Sequence, residues 1–546
     1  MKTSNIYIVL AIICSVLFAS CSDFLDQGPE SKIPGDRIFE DEKTTNGYIV
    51  GLYKEWKEGR KDLISTHLGI DESIAGGFQY MDNNDRKGVE GYGNTLNETN
   101  GIIRETWKKR YRVIARAAEA ISYLEKNQET QSRLLNQYLG EACFFRAVCM
   151  WEISTLYGEV IMHDKNRPEL EFARQSYDEI YKQIISDLEI AEKYLPDPSE
   201  VSDVSRFSKA VAQSILGKVY LYAPEKTGMR DYEKAAASFK KVIDNPYFGG
   251  KGAPTYSVIF DSYQQESTEY KKEIIYALQY KVGDPYNNAT EWDFGSRAVA
   301  QMTPVEAMAP WAGFDGLLPS EYASTKVVNG GVWEEGDVRF AASIRTNFEW
   351  TDPKTKEHYV PDLSGWTWGD ELEPHVKKYE DMRIVDKGFN SWHSGMNIPY
   401  LRFSDIVMCY AECLYFTGRG AEGINMINDI VRNRAFGGSL PADKRWNTGM
   451  SEDEFMEKLL DERMRELCFE GWRKFDLLRT GKLKEYVAKR NRWHKSSTWT
   501  NIEGTVKQTN GPLTIQDHKL LWPIPLDELK QNPGLSESDQ NPGYEK

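Results

Sequence analysis

Leu216-Gly217-Lys218-Val219-Tyr220, then Ala235-Ala236-Ala237-Ser238-Phe239, then Pro246, is the stretch that decides the fold. Gly217 and Ala235 are small where two helices would cross. Tyr220 and Phe239 are large where a groove beside that crossing needs filling. The spacing is that of a helix–turn–helix repeat, L-G-x2-Y followed by A-x3-F and a closing proline. The second half sits about six residues late for the usual period. The turn 225–231 absorbs the difference. Small residues let the paired helices approach, and the aromatic rings pack beside them.

Working outward, helical periodicity recurs on both sides. It predicts helices over 41–58, 101–126, 133–157 and 175–194, the last ended by Pro196 and Pro198. A second tetratricopeptide-like pair is expected over 406–416 and 421–431, joined by Gly418-Arg419-Gly420. A further helix is expected over 451–480. The expected class is mainly α: a tetratricopeptide-like helical repeat scaffold. The body comprises residues 36–283 and 398–546. The tail ends in Pro523-Ile524-Pro525 and Asn541-Pro542-Gly543-Tyr544, a non-helical wrap.

Residues 284–397 break the pattern. They are rich in Gly, Pro, Asn and Trp and lack a long helical period. Seven of the 15 Trp of the 546-residue chain lie here: Trp292, Trp311, Trp333, Trp350, Trp366, Trp368 and Trp392. That concentration, in about a fifth of the chain, marks a loop-rich insertion, and binding residues gather on loops held by a rigid scaffold.

The first twenty residues differ in kind. Lys2 precedes an apolar run, Ile6 to Phe18, then small residues and Cys21. This is a secretory signal over 1–20, too short to span a bilayer comfortably. Leu17-Phe18-Ala19-Ser20-Cys21 is similar to a bacterial lipobox, with Phe18 where Leu is usual. Cleavage before Cys21 would expose a thiol for acylation. Each buried acyl CH₂ contributes about 0.8 kcal/mol, so several chains anchor stably. Residues 21–35 would form the tether. The remaining cysteines, Cys143, Cys149, Cys409, Cys413 and Cys468, lie in helix-patterned apolar segments without disulfide or zinc spacing. They read as buried small hydrophobes.

The formal charge is −15, which argues against nucleic acid as a partner. No P-loop, GxGxxG, HExxH or GxSxG occurs, and neither a metal site nor a cofactor is expected. Asp82-Asn83-Asn84-Asp85 fails calcium-loop spacing, because Arg86 takes the fifth position. The densest carboxylates, Asp461, Glu462, Glu466, Glu470 and Asp476, interleave with Arg463, Arg465 and Arg473. Glu462, Glu466 and Glu470 are expected as an i, i+4 stripe. Arginine partners hold carboxyl pKa values down, which suits an ion-pair network rather than a general acid.

A set of motifs along the chain carries a resemblance. It comprises the lipobox with Cys21-Ser-Asp-Phe-Leu-Asp26, Glu141 to Val160 with Arg146-Ala147, and Tyr410-Ala411-Glu412. It continues through Val431-Arg432, Arg434-Ala435, and the run Arg465-Glu466 to Arg479, closing at Pro523-Ile524-Pro525 and Asn541 to Tyr544. In this order they resemble the SusD/RagB-type outer-membrane lipoproteins of Bacteroidota. The resemblance implies a helical body with a loop-rich ligand face and no catalysis. It also implies capture of oligosaccharides, sometimes peptides, and delivery to a SusC-like TonB-dependent transporter.

Binding residues come from chemistry instead. A sugar ring offers an apolar C–H face to an aromatic ring, while polar groups fix its orientation. The candidates are Trp292, Trp311, Trp366, Trp368, Trp392 and Tyr286, with Phe314 beside them. Asp71 and Tyr80 join them from a second polar stretch, 71–92, which also holds Phe78 and Tyr92. Trp56, Trp107, Trp151, Trp446, Trp472 and Trp522 are assigned to packing. The expected function is oligosaccharide capture at the outer membrane. Peptide capture on the same scaffold, a secreted glycosidase and a tetratricopeptide adaptor are the alternatives.

Overall fold

The computed structural model describes residues 35–60, 64–76, 83–362, 371–489 and 514–544. The signal, Cys21, the tether to residue 34, Phe78, Tyr80, Trp366 and Trp368 lie outside the described residues. Compact units divide at Tyr48/Ile49. In the first, the Thr44 and Thr45 hydroxyls donate to the Ile38 carbonyl at 2.7 and 3.0 Å. The Phe39 and Tyr48 rings meet edge to face.

The second unit is built on long helices. Gly101–Leu124 begins where the Asn100 side chain accepts the Ile102 and Ile103 amides. Arg133–Tyr157 is capped by Ser132 and buried over nearly its whole circumference. Such a helix belongs to the middle of a helical core. Tyr177–Tyr194 opens with a capping box between Ser176 and Glu179. Lys209–Tyr222 and Tyr232–Ile243 form the pair expected from the opening motif, the latter capped by Asp231. Gly217 faces Phe239 across their contact. A Cβ there would fall 2.5 Å from the Phe239 ring. The second pair is Phe403–Leu414 and Gly420–Met426, separated by a turn with Gly418 at φ 80°.

Strands Ile274–Leu278 and Ile398–Arg402 pair antiparallel, with Ala277 opposite Pro399 and Leu278 opposite Ile398. The chain therefore leaves the helical body and re-enters it at the same place. The described residues between them form short helices, two-residue strands and loops. Those loops have their own core: Val299, Met308, Trp311, Phe348, Trp350 and Ile384 among others.

One expectation needs correction. Residues 451–480 do not form one helix. Glu452–Leu467 stops, and Arg473–Arg479 restarts. Phe469 takes φ 63° and Gly471 φ 87°, conformations no helix contains. Burial of the Phe469 ring and a 2.6 Å hydrogen bond from Tyr379 Oη to its carbonyl hold the break in place. Glu470 therefore lies off the helix face shared by Glu462 and Glu466.

All three acids still join one buried ion network. Arg402 reaches Glu466, Glu273 and Glu470 at 2.7, 3.0 and 2.7 Å. Arg434 bridges Glu273 and Glu466, each at 2.6 Å. From the insertion, Arg339 binds Asp337, Glu462 and Glu466. Burial works to raise the Glu462 carboxyl. The guanidinium groups of Arg339, Arg465 and Arg432 outweigh it and hold the group well below the usual range. Glu466 and Asp476 are depressed in the same way, against the same burial. The carboxylate cluster is structural. The five described cysteines are free and buried, and burial pushes the Cys409 and Cys468 thiols up to about 11.

Candidate functional site

Aromatic rings form a continuous surface at one part of the insertion. Trp292 sits on the short helix Thr290–Phe294 and Trp392 in the turn Ser391–His393. Their ring centroids lie 4.9 Å apart with planes at 89°. Phe314 lies nearly parallel to Trp292, 6.3 Å away. On the other side His393 follows at 5.6 Å from Trp392, and Phe389 at 5.1 Å from His393. Phe314 and Phe389 keep 38% and 39% of their surface exposed, more than an aromatic packed only under its loop would show. Tyr286 stands on the adjacent turn at 64% exposure, and its carbonyl accepts the Lys281 amide.

The backbone that carries these rings is tightly fixed. The Phe314 amide donates to the Trp292 carbonyl at 2.8 Å. Gly313 makes this crossing possible, because a Cβ would meet the Trp292 oxygen and Gly295 Cα, both at 2.4 Å. Asn287 Nδ2 donates to the Trp392 carbonyl at 2.7 Å, and Asn288 Nδ2 to the Met396 carbonyl at 2.8 Å. Polar groups border the rings. Asp284, 78% exposed at its side chain, stands 3.4 Å from His393 Nε2. Asn390 Oδ1 bonds His393 Nδ1.

The candidates read from sequence separate accordingly. The structure brings Trp292, Trp392 and Tyr286 into one region, with Phe314. Trp311 does not join them on the surface. Its ring is buried under Arg345, 3.7 Å from the guanidinium carbon, and meets Trp350 edge to face. It supports the platform from below. Asp71 is corrected outright. Its carboxylate is wholly buried and takes Arg473 Nε and Nη2 at 2.9 and 2.7 Å, which makes it a buried counter-ion rather than a surface contact. The sequence reading missed Phe389 and His393. Their signal was present in Phe389-Asn390-Ser391-Trp392-His393, three rings within five residues, but only the tryptophan was weighted. The six tryptophans assigned to packing are all buried.

Comparison with known proteins follows from this geometry. The family model described as the SusD family matches residues 272–544, and one described as starch-binding associating with outer membrane matches residues 23–221. SusD-like protein P25 of Formosa agariphila is 26% identical over 571 residues, covering 100% of both chains. The starch-binding protein SusD of Bacteroides thetaiotaomicron is 24% identical over 439 residues, covering 74% of this chain and 72% of its own. Among solved structures, a SusD homolog from Bacteroides thetaiotaomicron superposes with a TM-score of 0.72 at 20% identity, over 94% of this chain and 100% of its own. The helical-repeat body with its loop-rich insertion and a family match over half the sequence lead to one conclusion: the chain belongs to the SusD family.

Proposed function

We propose that the protein is an oligosaccharide-binding lipoprotein of the outer membrane, anchored through Cys21, which captures glycan on the Trp292/Trp392 platform and passes it to a SusC-like TonB-dependent transporter. The observation that carries the reading is the row Phe314, Trp292, Trp392, His393 and Phe389, with Tyr286 beside it. Aromatic faces with polar groups at their edges suit sugar rings, whose C–H faces are apolar and whose hydroxyls need partners. The starch-binding relative and the family description that mentions starch and the outer membrane support the ligand class and location. Among the described residues no helix is long and apolar enough to cross a membrane, which is compatible with attachment by lipid.

Binding without turnover is the better reading of the carboxyls. Glycoside hydrolysis needs an acid of raised pKa open to the substrate. Burial raises the carboxyls of Glu141, Glu291 and Glu371, and that same burial closes all three to a substrate. Asp381 is committed to Arg383, and Asp386 to the Tyr263 hydroxyl. A glycan array followed by calorimetry on the protein lacking residues 1–21 tests the proposal. Saturable binding of an oligosaccharide without release of reducing sugar is expected. Binding confined to a peptide panel would overturn it. Co-purification of the full-length protein with a large outer-membrane transporter, from membranes of the native cell, tests the partner.

A further inference from the structure

A cavity of about 270 Å³ lies in the helical body and shares none of the platform's rings. One wall is the strand Ile274–Leu278, through Ile274, Tyr276 and Ala277. Another is the segment that leads into the helix Lys209–Tyr222, through Val201, Val204 and Ser208. The walls are held by the protein itself. Tyr276 Oη donates to the Ser205 carbonyl at 3.0 Å, and its ring packs 4.8 Å from Phe207. Asn245 Nδ2 donates to Asp197 Oδ2 at 2.9 Å, and the Lys209 amide to the Pro196 carbonyl at 2.7 Å. A cavity fixed in this way is preformed, as small-ligand sites usually are.

Its size and lining narrow the ligand class. The volume falls just below the roughly 300–1,000 Å³ of pockets for drug-sized molecules, so an oligosaccharide does not fit inside. Tyr247, Phe248, Tyr270 and Tyr276 supply aromatic surface. Arg206 reaches the cavity already neutralised: its Nη2 stands 2.8 Å from Glu141 Oε2, and its Nε donates to Glu141 Oε1 at 3.2 Å. Glu266 and Lys271 are exposed and of opposite sign. An acidic sugar or a zwitterionic amino acid would therefore bring charge that nothing inside compensates. Ser208 supplies the polar signal. It holds the position before the first turn of Lys209–Tyr222, yet its side chain caps nothing. The residue is 5% exposed, and among the described residues its Oγ has no hydrogen-bond partner. A buried hydroxyl left unpaired is costly, so one in a cavity wall calls for a partner within the cavity. We propose that this cavity is a second sugar site, separate from the platform, which takes one uncharged sugar ring: its C–H face lies on the tyrosine and phenylalanine surface, and one of its hydroxyls pairs with Ser208.

The test is saturation-transfer NMR on the full-length protein in lauryldimethylamine oxide, a detergent without a sugar headgroup. The probes are D-glucose, D-galactose and D-mannose at millimolar concentrations, with L-leucine and D-glucuronate as the charged counterparts. Val204→Trp adds an indole at an exposed position of the cavity lining, Ser208→Ala removes the hydroxyl, and Trp292→Ala disables the platform. At least one neutral monosaccharide should bind saturably to the wild type and equally to Trp292→Ala. Val204→Trp should abolish that binding, and Ser208→Ala should weaken it by about two- to tenfold, the worth of one hydrogen bond. Urea unfolding confirms that each variant is folded; if Val204→Trp is not, the Ser208→Ala titration decides. Saturation by none of the three neutral sugars would overturn the proposal, as would binding of L-leucine or D-glucuronate in preference to them. Binding lost in Trp292→Ala and kept in Val204→Trp and Ser208→Ala would also overturn it, and would assign the monosaccharide to the platform.

Discussion

Gly217→Ala places the fold's opening motif under direct strain. The added Cβ would lie 2.5, 2.6 and 2.9 Å from Phe239 Cε1, Cδ1 and Cζ. Ordinary carbon contacts are about 3.5–4.0 Å, so the ring must retreat by about 1 Å. Phe239 is fully buried, and the close packing of protein interiors leaves such a ring little room to retreat. Overpacking of this kind costs about 1–3 kcal/mol. Alanine in a helix interior returns about 1 kcal/mol over glycine. The net expectation is a loss of up to about 2 kcal/mol, the difference between those two effects. Phe239→Leu removes the ring that clashes, so in that background Gly217→Ala should be neutral or stabilising. Coupling between the two sites should then equal the overpacking that the smaller side chain relieves, about 1–3 kcal/mol. Urea unfolding of the four proteins, followed by tryptophan fluorescence, measures it. A Gly217→Ala variant more stable than wild type, or a coupling below about 0.5 kcal/mol, would refute the close-approach argument. Gly423 supplies an internal comparison. There the Cβ would meet the Ala411 carbonyl oxygen at 2.5 Å, and a backbone atom cannot rotate aside. Gly423→Ala should therefore cost more, and no single side-chain change should rescue it.

Other outcomes follow from the same geometry. Trp292→Ala and Trp392→Ala should each weaken oligosaccharide binding at least about tenfold in calorimetry, with a smaller loss of stability than Trp311→Ala because both rings are only partly buried against the insertion's core. Trp311→Ala should instead lower stability by about 3–5 kcal/mol, because that ring is buried, and urea unfolding distinguishes the two behaviours. Asp71→Asn leaves the Arg473 guanidinium without its buried counter-charge and should cost about 3–5 kcal/mol in the same assay. Glu462, Glu466 and Asp476 have depressed pKa values, so their stabilisation is present above the ordinary carboxylate pKa and is lost as pH falls below about 4. An acid titration of helical circular dichroism should show a transition that Glu462→Gln, already destabilised at neutral pH, no longer steepens.

Helices were legible in sequence because their signals are local. The apolar spacing that predicts helices over 133–157 and 175–194 involves residues only three or four apart, and both helices form, as Arg133–Tyr157 and Tyr177–Tyr194. The break at Phe469 was illegible for the opposite reason. A buried phenylalanine in the left-handed region is held there by Tyr379, 90 residues away in sequence. The site divides along the same line. Trp concentration located the insertion. Which indoles face outward depends on Arg345 covering Trp311 and on Gly313 admitting the Phe314 loop, and neither contact has a local sequence pattern. Asp71 looked available because its partner, Arg473, lies 402 residues downstream.

The buried ion network sets a limit on modularity. Stacked helical repeats are ordinarily separable, since each needs only its neighbours. Here Arg339 meets Glu466 across 127 residues, Arg402 meets Glu273 across 129, and Arg434 meets Glu273 across 161. Any piece cut from this solenoid would carry buried charge with its counter-ion on the other piece. Chimeras that exchange individual repeats between relatives should fail to accumulate. Grafts that exchange loop segments above the strand pair Ile274–Leu278 and Ile398–Arg402, with Glu334, Asp337, Arg339 and Lys378 retained as partners of the body's buried charges, should survive. The ligand face can then diversify while the scaffold is inherited whole.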